Sequence, residues 1–186
     1  MKTERRQYTQ RARAERTEAT RQRILDAALE RFTEDWFDEV TLASVAKQAD
    51  VSQQTLVNHF GSKEGLVEAI AERIDPEIRS IRERVAPGDV PGLVDALMEQ
   101  YEATGDANAR WAALEDRTPV IAPYLARGRA FHRESVAATL GVTDEQRKTT
   151  LAVVTDVLTW KMLRRDHGLS AEETAAALLD MLEALT

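Results

Sequence analysis

Residues 41–63 read TLASVAKQADVSQQTLVNHFGSK and contain the clearest structural pattern in the chain. Its apolar residues recur at helical spacing in two short pieces, 41–48 and 53–60. The tripeptide 49–51 between them leaves room only for a tight turn, and its Asp50 tolerates a left-handed backbone better than most residues. The spacing therefore predicts a helix-turn-helix.

Polar residues mark the ends of these two helices and of the next one. Thr41 and Ser52 are typical N-cap residues for the first and second helices, and Ser62 is one for a third helix that begins at Lys63. Gly61 then closes the second helix, and we expect it to do so in a left-handed conformation.

Helical periodicity continues on both sides of this stretch, and no segment alternates like a strand. An earlier helix carries the apolar stripe Ile24, Leu25, Ala28 and Phe32, and Trp36 and Phe37 lie in the bend after it. After a loop at residues 87–92 the pattern predicts further helices at 93–104, 108–117, 120–140, from a Thr143 cap to about 167, and from a Ser170 cap onward. The predicted fold class is all-α.

Composition narrows the class of protein further. The 186 residues carry 25 Lys and Arg against 32 Asp and Glu, a net charge of −7, and include no cysteine. We find no apolar run long enough for a membrane span and no apolar core of a signal peptide, so we expect a cytoplasmic protein. Three scattered histidines and no glycine-rich phosphate loop argue against an enzyme, and we expect neither a cofactor nor a metal site.

The charge is unevenly distributed. Residues 1–23 hold eight basic and three acidic side chains, a net of +5, whereas the later two thirds of the chain carry the acidic excess. A basic N-terminal segment on an otherwise acidic protein favours a polyanionic partner that binds at the N-terminal end only.

The longer pattern from about Arg21 to Ile70 resembles the DNA-binding domain of the TetR family of bacterial transcriptional regulators. The features that carry the resemblance are the stripe ending at Phe32, Thr41, Val45-Ala46, Ala49 to Ser52, Thr55-Leu56, His59-Phe60 and Ser62 to Leu66. Three positions depart from the family's pattern: Trp36 and Asp50 replace glycines, and Val57 replaces a tyrosine. The last change removes a hydroxyl that, by resemblance, would touch the DNA backbone.

The resemblance implies a domain plan and a function. We expect a flexible basic arm at residues 1–19, a three-helix helix-turn-helix domain at 20–66, and a helical effector-binding and dimerisation domain at 67–186. The implied function is that of a repressor that binds a palindromic operator in double-stranded DNA as a homodimer. The DNA-binding residues would be Thr41, Ser52, Gln53, Gln54, Thr55, Asn58, His59 and Lys63, with Lys63 and His59 near phosphates and the amides of the second helix facing bases.

The later helices suggest where a ligand and a second subunit would bind. The family implies a small apolar or amphipathic ligand, and the candidate pocket residues are Tyr101, Trp111, Tyr124, Phe131, His132 and Trp160. Apolar residues cover more than one face between Leu151 and Met162, which favours a dimer interface there. Two alternatives stay open: a helical protein-binding adaptor without ligand response and, less favoured, a small enzyme.

Overall fold

The computed structural model describes residues 2–185, with side chains from residue 10 onward, and all regular structure within that range is helical. The elements are α1 (Lys2–Glu34), α2 (Leu42–Gln48), α3 (Gln53–Phe60), α4 (Lys63–Glu83), α5 (Val90–Leu114), α6 (Ala122–Leu140), α7 (Glu145–Val154), α8 (Val157–Lys161) and α9 (Ala171–Leu185). A 3-10 turn at Glu115–Arg117 follows α5, and a π-helical turn at Met162–Asp166 follows α8. The predicted all-α class is confirmed.

The chain forms two compact units, the first ending at Glu72 and the second beginning at Arg73. The division falls inside α4, a few residues after the predicted boundary at 66. None of the described helices is long and apolar enough to cross a membrane.

The first unit is built around the predicted stripe on α1. Ile24, Leu25, Ala28 and Phe32 are buried, together with Val45 and Ala46 of α2, Leu56 of α3, and Leu66 and Val67 of α4. Phe37, in the bend after α1, is also buried and stacks on Phe32 with 5.2 Å between ring centroids. Burial of these side chains supplies the main stabilisation of the unit.

The N-terminal arm differs from the expectation. Residues 2–19 are helical and continuous with the rest of α1, where we predicted a flexible segment. The sequence there is rich in residues of high helix propensity, and spaced pairs support the helix: Arg11 pairs with Glu15 at 3.2 Å, and Gln22 donates to Glu18 at 2.6 Å. Arg11, Arg13 and Arg16 are exposed on it, while the side chains of Arg5 and Arg6 lie outside the described residues.

In the second unit, the predicted helix boundaries at residues 104 and 108 are wrong. Residues 93–104 and 108–117 were predicted as separate helices, but α5 runs unbroken through Gly105. A Cβ at Gly105 would lie 2.4 Å from Cζ3 of Trp160, so the glycine admits the tryptophan ring rather than ending a helix. The core around this contact includes Leu97, Tyr101, Val136, Leu151, Leu178 and Leu182.

The predicted helix from Thr143 to about residue 167 is broken in the structure. Asp144, not Thr143, caps α7 by accepting from the Arg147 N–H at 2.8 Å. The helix stops at Thr155, and Asp156 caps α8 anew by accepting from the Leu158 N–H. By contrast, the predicted Ser170 cap is confirmed: Ser170 Oγ accepts from the Glu173 N–H at 3.1 Å, and Glu173 Oε2 accepts from the Ser170 N–H at 2.8 Å. Pro76 lies inside α4 without ending it.

Candidate nucleic-acid interface

The turn between α2 and α3 has the predicted geometry. Asp50 adopts φ 54, the one positive φ outside glycine among the described residues. The N–H of Val51 donates to the Ala46 carbonyl at 3.0 Å, which closes the turn behind α2. Ala46 and Leu56 are buried at the helix crossing, where a larger residue than alanine would separate the helices.

Local hydrogen bonds explain why both short helices start where they do. Thr41 Oγ1 accepts from the Ser44 N–H at 3.1 Å, and Ser44 Oγ reciprocally accepts from the Thr41 N–H, which forms a capping box. Ser52 Oγ accepts from the Thr55 N–H at 3.1 Å and also lies 2.8 Å from Thr55 Oγ1. The hydroxyls of Thr41, Ser52 and Thr55 therefore already have structural roles.

Gly61 ends α3 with positive φ, as expected, but its ψ of −63 is not that of the left-handed helix region. The Ser62 N–H donates to the Phe60 carbonyl two residues back at 2.8 Å, which is the pattern of a γ-turn. This tight reversal separates α3 from α4 by only two residues.

Three amide side chains form the outer face of α3. Gln53, Gln54 and Asn58 are exposed, and the side chain of Gln54 donates to Asn58 Oδ1 at 3.0 Å. The internal hydrogen bond holds both amides in one orientation and still leaves donors and acceptors for a partner. These are the groups that pair bidentately with adenine edges in the major groove of DNA.

Lys63 lies differently from the expectation. Its side chain is half-buried, and Nζ donates to the Phe37 carbonyl instead of extending into solvent. Nζ also lies 4.1 Å from the centroid of the Phe37 ring. Burial lowers the pKa of Lys63, while the charges of Asp38 and Glu64 oppose that shift.

Two further side chains flank the end of α3. His59 is half-buried, with its ring centroid 6.0 Å from that of Phe60, and the guanidinium of Arg21 lies 5.3 Å from the centroid of the Phe60 ring. Arg21 thus joins α1 to the end of α3, a placement that the sequence spacing did not indicate. Val57 is half-buried on the same helix.

All six predicted pocket residues lie in the second unit, in different surroundings. Tyr101 and Trp160 are buried with their ring centroids 6.0 Å apart, and Thr155 lies hydrogen-bonded to both Tyr101 and His132. Phe131 and Tyr124 are instead half-buried beneath arginines, with Arg79 at 4.6 Å and Arg127 at 5.4 Å from the respective ring centroids. Trp111 is half-buried near the end of α5.

Large apolar side chains on α7, α8 and the π-helical turn point away from the core of the second unit. Val153 is 60% exposed, Leu158 48% and Met162 50%, while Leu151 and Trp160 on the same segment are buried. The segment is therefore apolar on two faces, as predicted, and one of these faces has no covering within the described residues.

The same arrangement of helices occurs in known proteins. A sequence model described as bacterial regulatory proteins, tetR family, matches residues 24–70. The HTH-type transcriptional regulator BetI of Burkholderia thailandensis is 31% identical over 121 residues, which cover 64% of this chain and 56% of BetI. The chain thus spans little more than half the length of this curated relative.

Solved structures extend the likeness to the second unit. GusR of Salmonella enterica has a TM-score of 0.71 and 26% identity, covering 90% of this chain and 95% of that one. EbrR, described as a multidrug binding protein and solved with imidazole, has a TM-score of 0.61 and 22% identity, covering 87% and 88%. Residues 24–70 thus form a DNA-binding domain of the tetR family type, and the chain as a whole shares its fold with GusR and EbrR.

Proposed function

We propose that the protein is a sequence-specific DNA-binding transcriptional regulator of the TetR type, a cytoplasmic repressor and not an enzyme. The observation that carries the proposal is the exposed row of amides on α3, directly after the closed turn that follows α2. A second helix held in this way fits the major groove of B-DNA, and its early residues face base edges. BetI, which is described as an HTH-type transcriptional regulator, supports the same assignment.

The readout residues are Gln53, Gln54 and Asn58, because their amides are exposed and are not used as caps. Thr41, Ser52 and Thr55 first stabilise the short helices, and their hydroxyls contact phosphates only as a second role. His59 and Lys63 contact the DNA backbone near the end of α3. The exposed arginines of α1, Arg11, Arg13 and Arg16, add phosphate or minor-groove contacts.

The net charge of −7 does not oppose this function, because charge is felt locally at physiological salt. Exposed arginines lie on the N-terminal part of α1, whereas the acidic excess belongs to residues 66–186. The basic end therefore attracts a phosphate backbone even though the whole chain is acidic.

The exposed apolar face around Val153, Leu158 and Met162 supports a homodimer. Large aliphatic side chains at these exposures favour a partner surface, and a second copy of the chain would cover the same face of its partner by twofold symmetry. A twofold dimer presents two copies of α3, which accounts for a palindromic operator.

Modulation by a small molecule in the second unit completes the proposal. EbrR, which shares the fold, is described as a multidrug binding protein, and Tyr101, His132 and Trp160 bring aromatic and polar atoms together within one unit. A ligand that binds one state of the dimer better than another shifts its affinity for the operator.

Selection from random duplex DNA with the purified full chain tests the proposal. We expect enrichment of a palindromic sequence, and we expect the Gln54→Ala/Asn58→Ala variant, whose changes lie on an exposed face, to lose that enrichment while it remains folded. A folded protein that enriches no sequence at low and moderate salt would favour the adaptor function instead.

Sedimentation of the DNA-free protein tests the dimer separately. Leu158→Glu should give folded monomers, because it places charge in the exposed apolar face. Ala126→Glu, on the exposed side of α6, provides a matched control that should remain dimeric. A wild-type protein that sediments as a monomer at micromolar concentration would contradict the proposed interface.

A further inference from the structure

Arg82 is a buried charge without a counterion. Its side chain is 7% exposed in the last turns of α4, and Nε and Nη2 both donate to the neutral Gln100 Oε1 at 3.1 and 2.8 Å. Burial lowers its pKa, and no carboxylate pairs with it among the residues that the structure describes. Nη1 is buried and has no hydrogen-bond partner within the same residues. A buried guanidinium without a counterion lowers the stability of the fold, and charged groups in such surroundings are often found at binding sites.

His132 presents a second orphaned atom. Nε2 lies 3.0 Å from Thr155 Oγ1 and 3.2 Å from the Ala152 carbonyl oxygen. Thr155 Oγ1 itself donates to the Leu151 carbonyl at 2.7 Å, so it accepts from His132 and the ring proton is on Nε2. Nδ1 is then a bare acceptor, and it is buried without a partner in the described chain.

Electrostatics agree with this protonation state. Burial lowers the pKa of His132 to about 4, and the charge of Arg82 acts in the same direction. His132 is therefore neutral at neutral pH, and Arg82 lies close enough to influence it.

Tyr101 and Thr155 link Arg82 and His132. The Tyr101 hydroxyl donates to the Thr155 carbonyl at 2.8 Å, and Thr155 Oγ1 lies 3.0 Å from His132 Nε2. The charge of Arg82 acts on both Tyr101 and His132. We call Arg82, Tyr101, His132 and Thr155 the Arg82–His132 cluster. It draws on α4, α5, α6 and the break between α7 and α8, all within the second unit.

Nearby carboxylates are already engaged elsewhere. Glu99 pairs with Arg84 at 2.7 Å, and Glu102 pairs with Arg164 at 2.9 Å. Asp156, whose charge acts on Tyr101, accepts from the Leu158 N–H to cap α8. The positive charge of Arg82 thus remains available to an incoming group.

We propose that the Arg82–His132 cluster binds the carboxylate of a small organic acid, which is the regulatory ligand of the protein. Arg82 Nη1 donates to the carboxylate, and His132 Nδ1 accepts from a hydroxyl or N–H that the same molecule carries beside it. The buried rings of Tyr101 and Trp160 contact the apolar remainder. This inference rests on the proposed ligand-modulated function and specifies its ligand class.

The cluster also selects against other ligand classes. A cationic molecule would be repelled by the uncompensated guanidinium, and a purely apolar one would leave both orphaned atoms unsatisfied. A buried water bonded to both atoms is the competing explanation, since internal waters commonly satisfy such groups.

Thermal unfolding and isothermal titration of the full chain without DNA provide the test, with salicylate, phenyllactate and octanoate as probes. The matched neutral probes are salicylamide, phenyllactamide and octanamide, and the cationic probe is benzyltrimethylammonium. We expect at least one acid, with salicylate and phenyllactate ahead of octanoate, to raise the melting temperature while its amide and the cation do not. The nitrogen resonance of His132 Nδ1 should shift on addition of the hydroxy acids.

Variants of Arg82 test whether its guanidinium binds the carboxylate of the ligand. Arg82→Met should weaken acid binding by roughly 10- to 100-fold, whereas Arg82→Lys, which keeps the charge, should retain part of it. The melting temperature of unliganded Arg82→Met should change little, because removal of a buried unpaired charge offsets the loss of the two hydrogen bonds to the half-buried Gln100.

The proposal is overturned if no acid in the panel stabilises the protein more than its amide, if Arg82→Met binds the acid as well as wild type does, or if a crystal structure grown with salicylate shows a buried water only. Failure of the DNA selection with acid binding intact would instead reject the proposed function. Both experiments can therefore fail independently.

Discussion

Nζ of Lys63, at the start of α4, donates to the backbone carbonyl of Phe37 and lies 4.1 Å from the centroid of the Phe37 ring. This contact ties the bend after α1 to the first turn of α4. It satisfies a carbonyl of the bend and adds a cation–π contact. The lysine that we propose as a phosphate contact therefore also stabilises the first unit.

Lys63→Ala should lower the free energy of unfolding by about 1–3 kcal/mol, because the Phe37 carbonyl loses its donor. Urea unfolding measures this change, and Lys47→Ala, at an exposed position in the last turn of α2, is the control and should stay within about 0.5 kcal/mol of wild type. If Lys63 also meets a phosphate, its loss should weaken selected and scrambled duplexes equally and reduce the salt slope by about 0.9 per subunit. An unchanged slope would leave Lys63 with the structural role alone.

Gln54→Ala and Asn58→Ala should each relax base preference at particular positions by about 1–3 kcal/mol, because their amides face the groove. Their mutual hydrogen bond at 3.0 Å predicts coupling, so the double variant should lose less than the sum of the single losses. Binding titrations on the selected site and on single-base variants measure both effects. Strict additivity would mean that the pair separates when DNA binds.

Asp50→Gly should stabilise the first unit by about 0.5–1 kcal/mol, because φ 54 is strained for any residue with a Cβ. Asp50→Val should destabilise it by about 1–2 kcal/mol or more, since a branched side chain tolerates this region least. Urea unfolding compares the three proteins. Equal stability of the glycine and valine variants would show that the turn does not keep its left-handed backbone in solution.

Gly105→Ala should destabilise the second unit by about 1–3 kcal/mol, because the new methyl group would lie 2.4 Å from Trp160 Cζ3. Gly128→Ala is the matched control: it lies within α6, a Cβ there meets nothing within 4 Å, and the change should stabilise by about 0.5–1 kcal/mol. Thermal unfolding separates the two. A neutral Gly105→Ala would mean that the tryptophan ring has room to move.

Stability should fall as the pH drops from about 6.5 to 4, and His132 should account for part of the loss. Its pKa is lowered to about 4 in the folded chain from 6.5, so the unfolded chain takes up a proton first and acid favours unfolding. One such proton contributes a slope of at most about 1.4 kcal/mol per pH unit. His132→Leu should flatten the profile in this window, and a ring resonance of His132 that titrates above pH 6 would refute the explanation.

Much of the first unit could be predicted because its signals are local. The caps at Thr41 and Ser52, like the cap at Ser170 in the second unit, depend on hydrogen bonds that span only three residues, so the sequence indicates their positions. The left-handed turn at Asp50 follows from the length of the turn, and the buried stripe on α1 follows from helical spacing. The exposed amides of α3 follow from the same spacing.

Local signals failed where a distant partner decides the outcome. Glycine commonly interrupts a helix, yet α5 continues through Gly105 because the ring of Trp160, from another helix, fills the space beside it. The helix break at Thr155 was not predicted because it depends on distant partners. The Thr155 hydroxyl bonds to His132 of α6, and the Thr155 carbonyl accepts from Tyr101 of α5.

Periodicity and capping act over a few residues, so the all-helical class, the helix-turn-helix and the exposed amides of α3 can all be predicted from local sequence. The inward turn of Lys63 to Phe37, and the burial of one unpartnered nitrogen on each of Arg82 and His132 within the described residues, depend on tertiary packing. Burial and unpaired atoms depend on what packs from other helices, and a residue's type and spacing do not specify those neighbours.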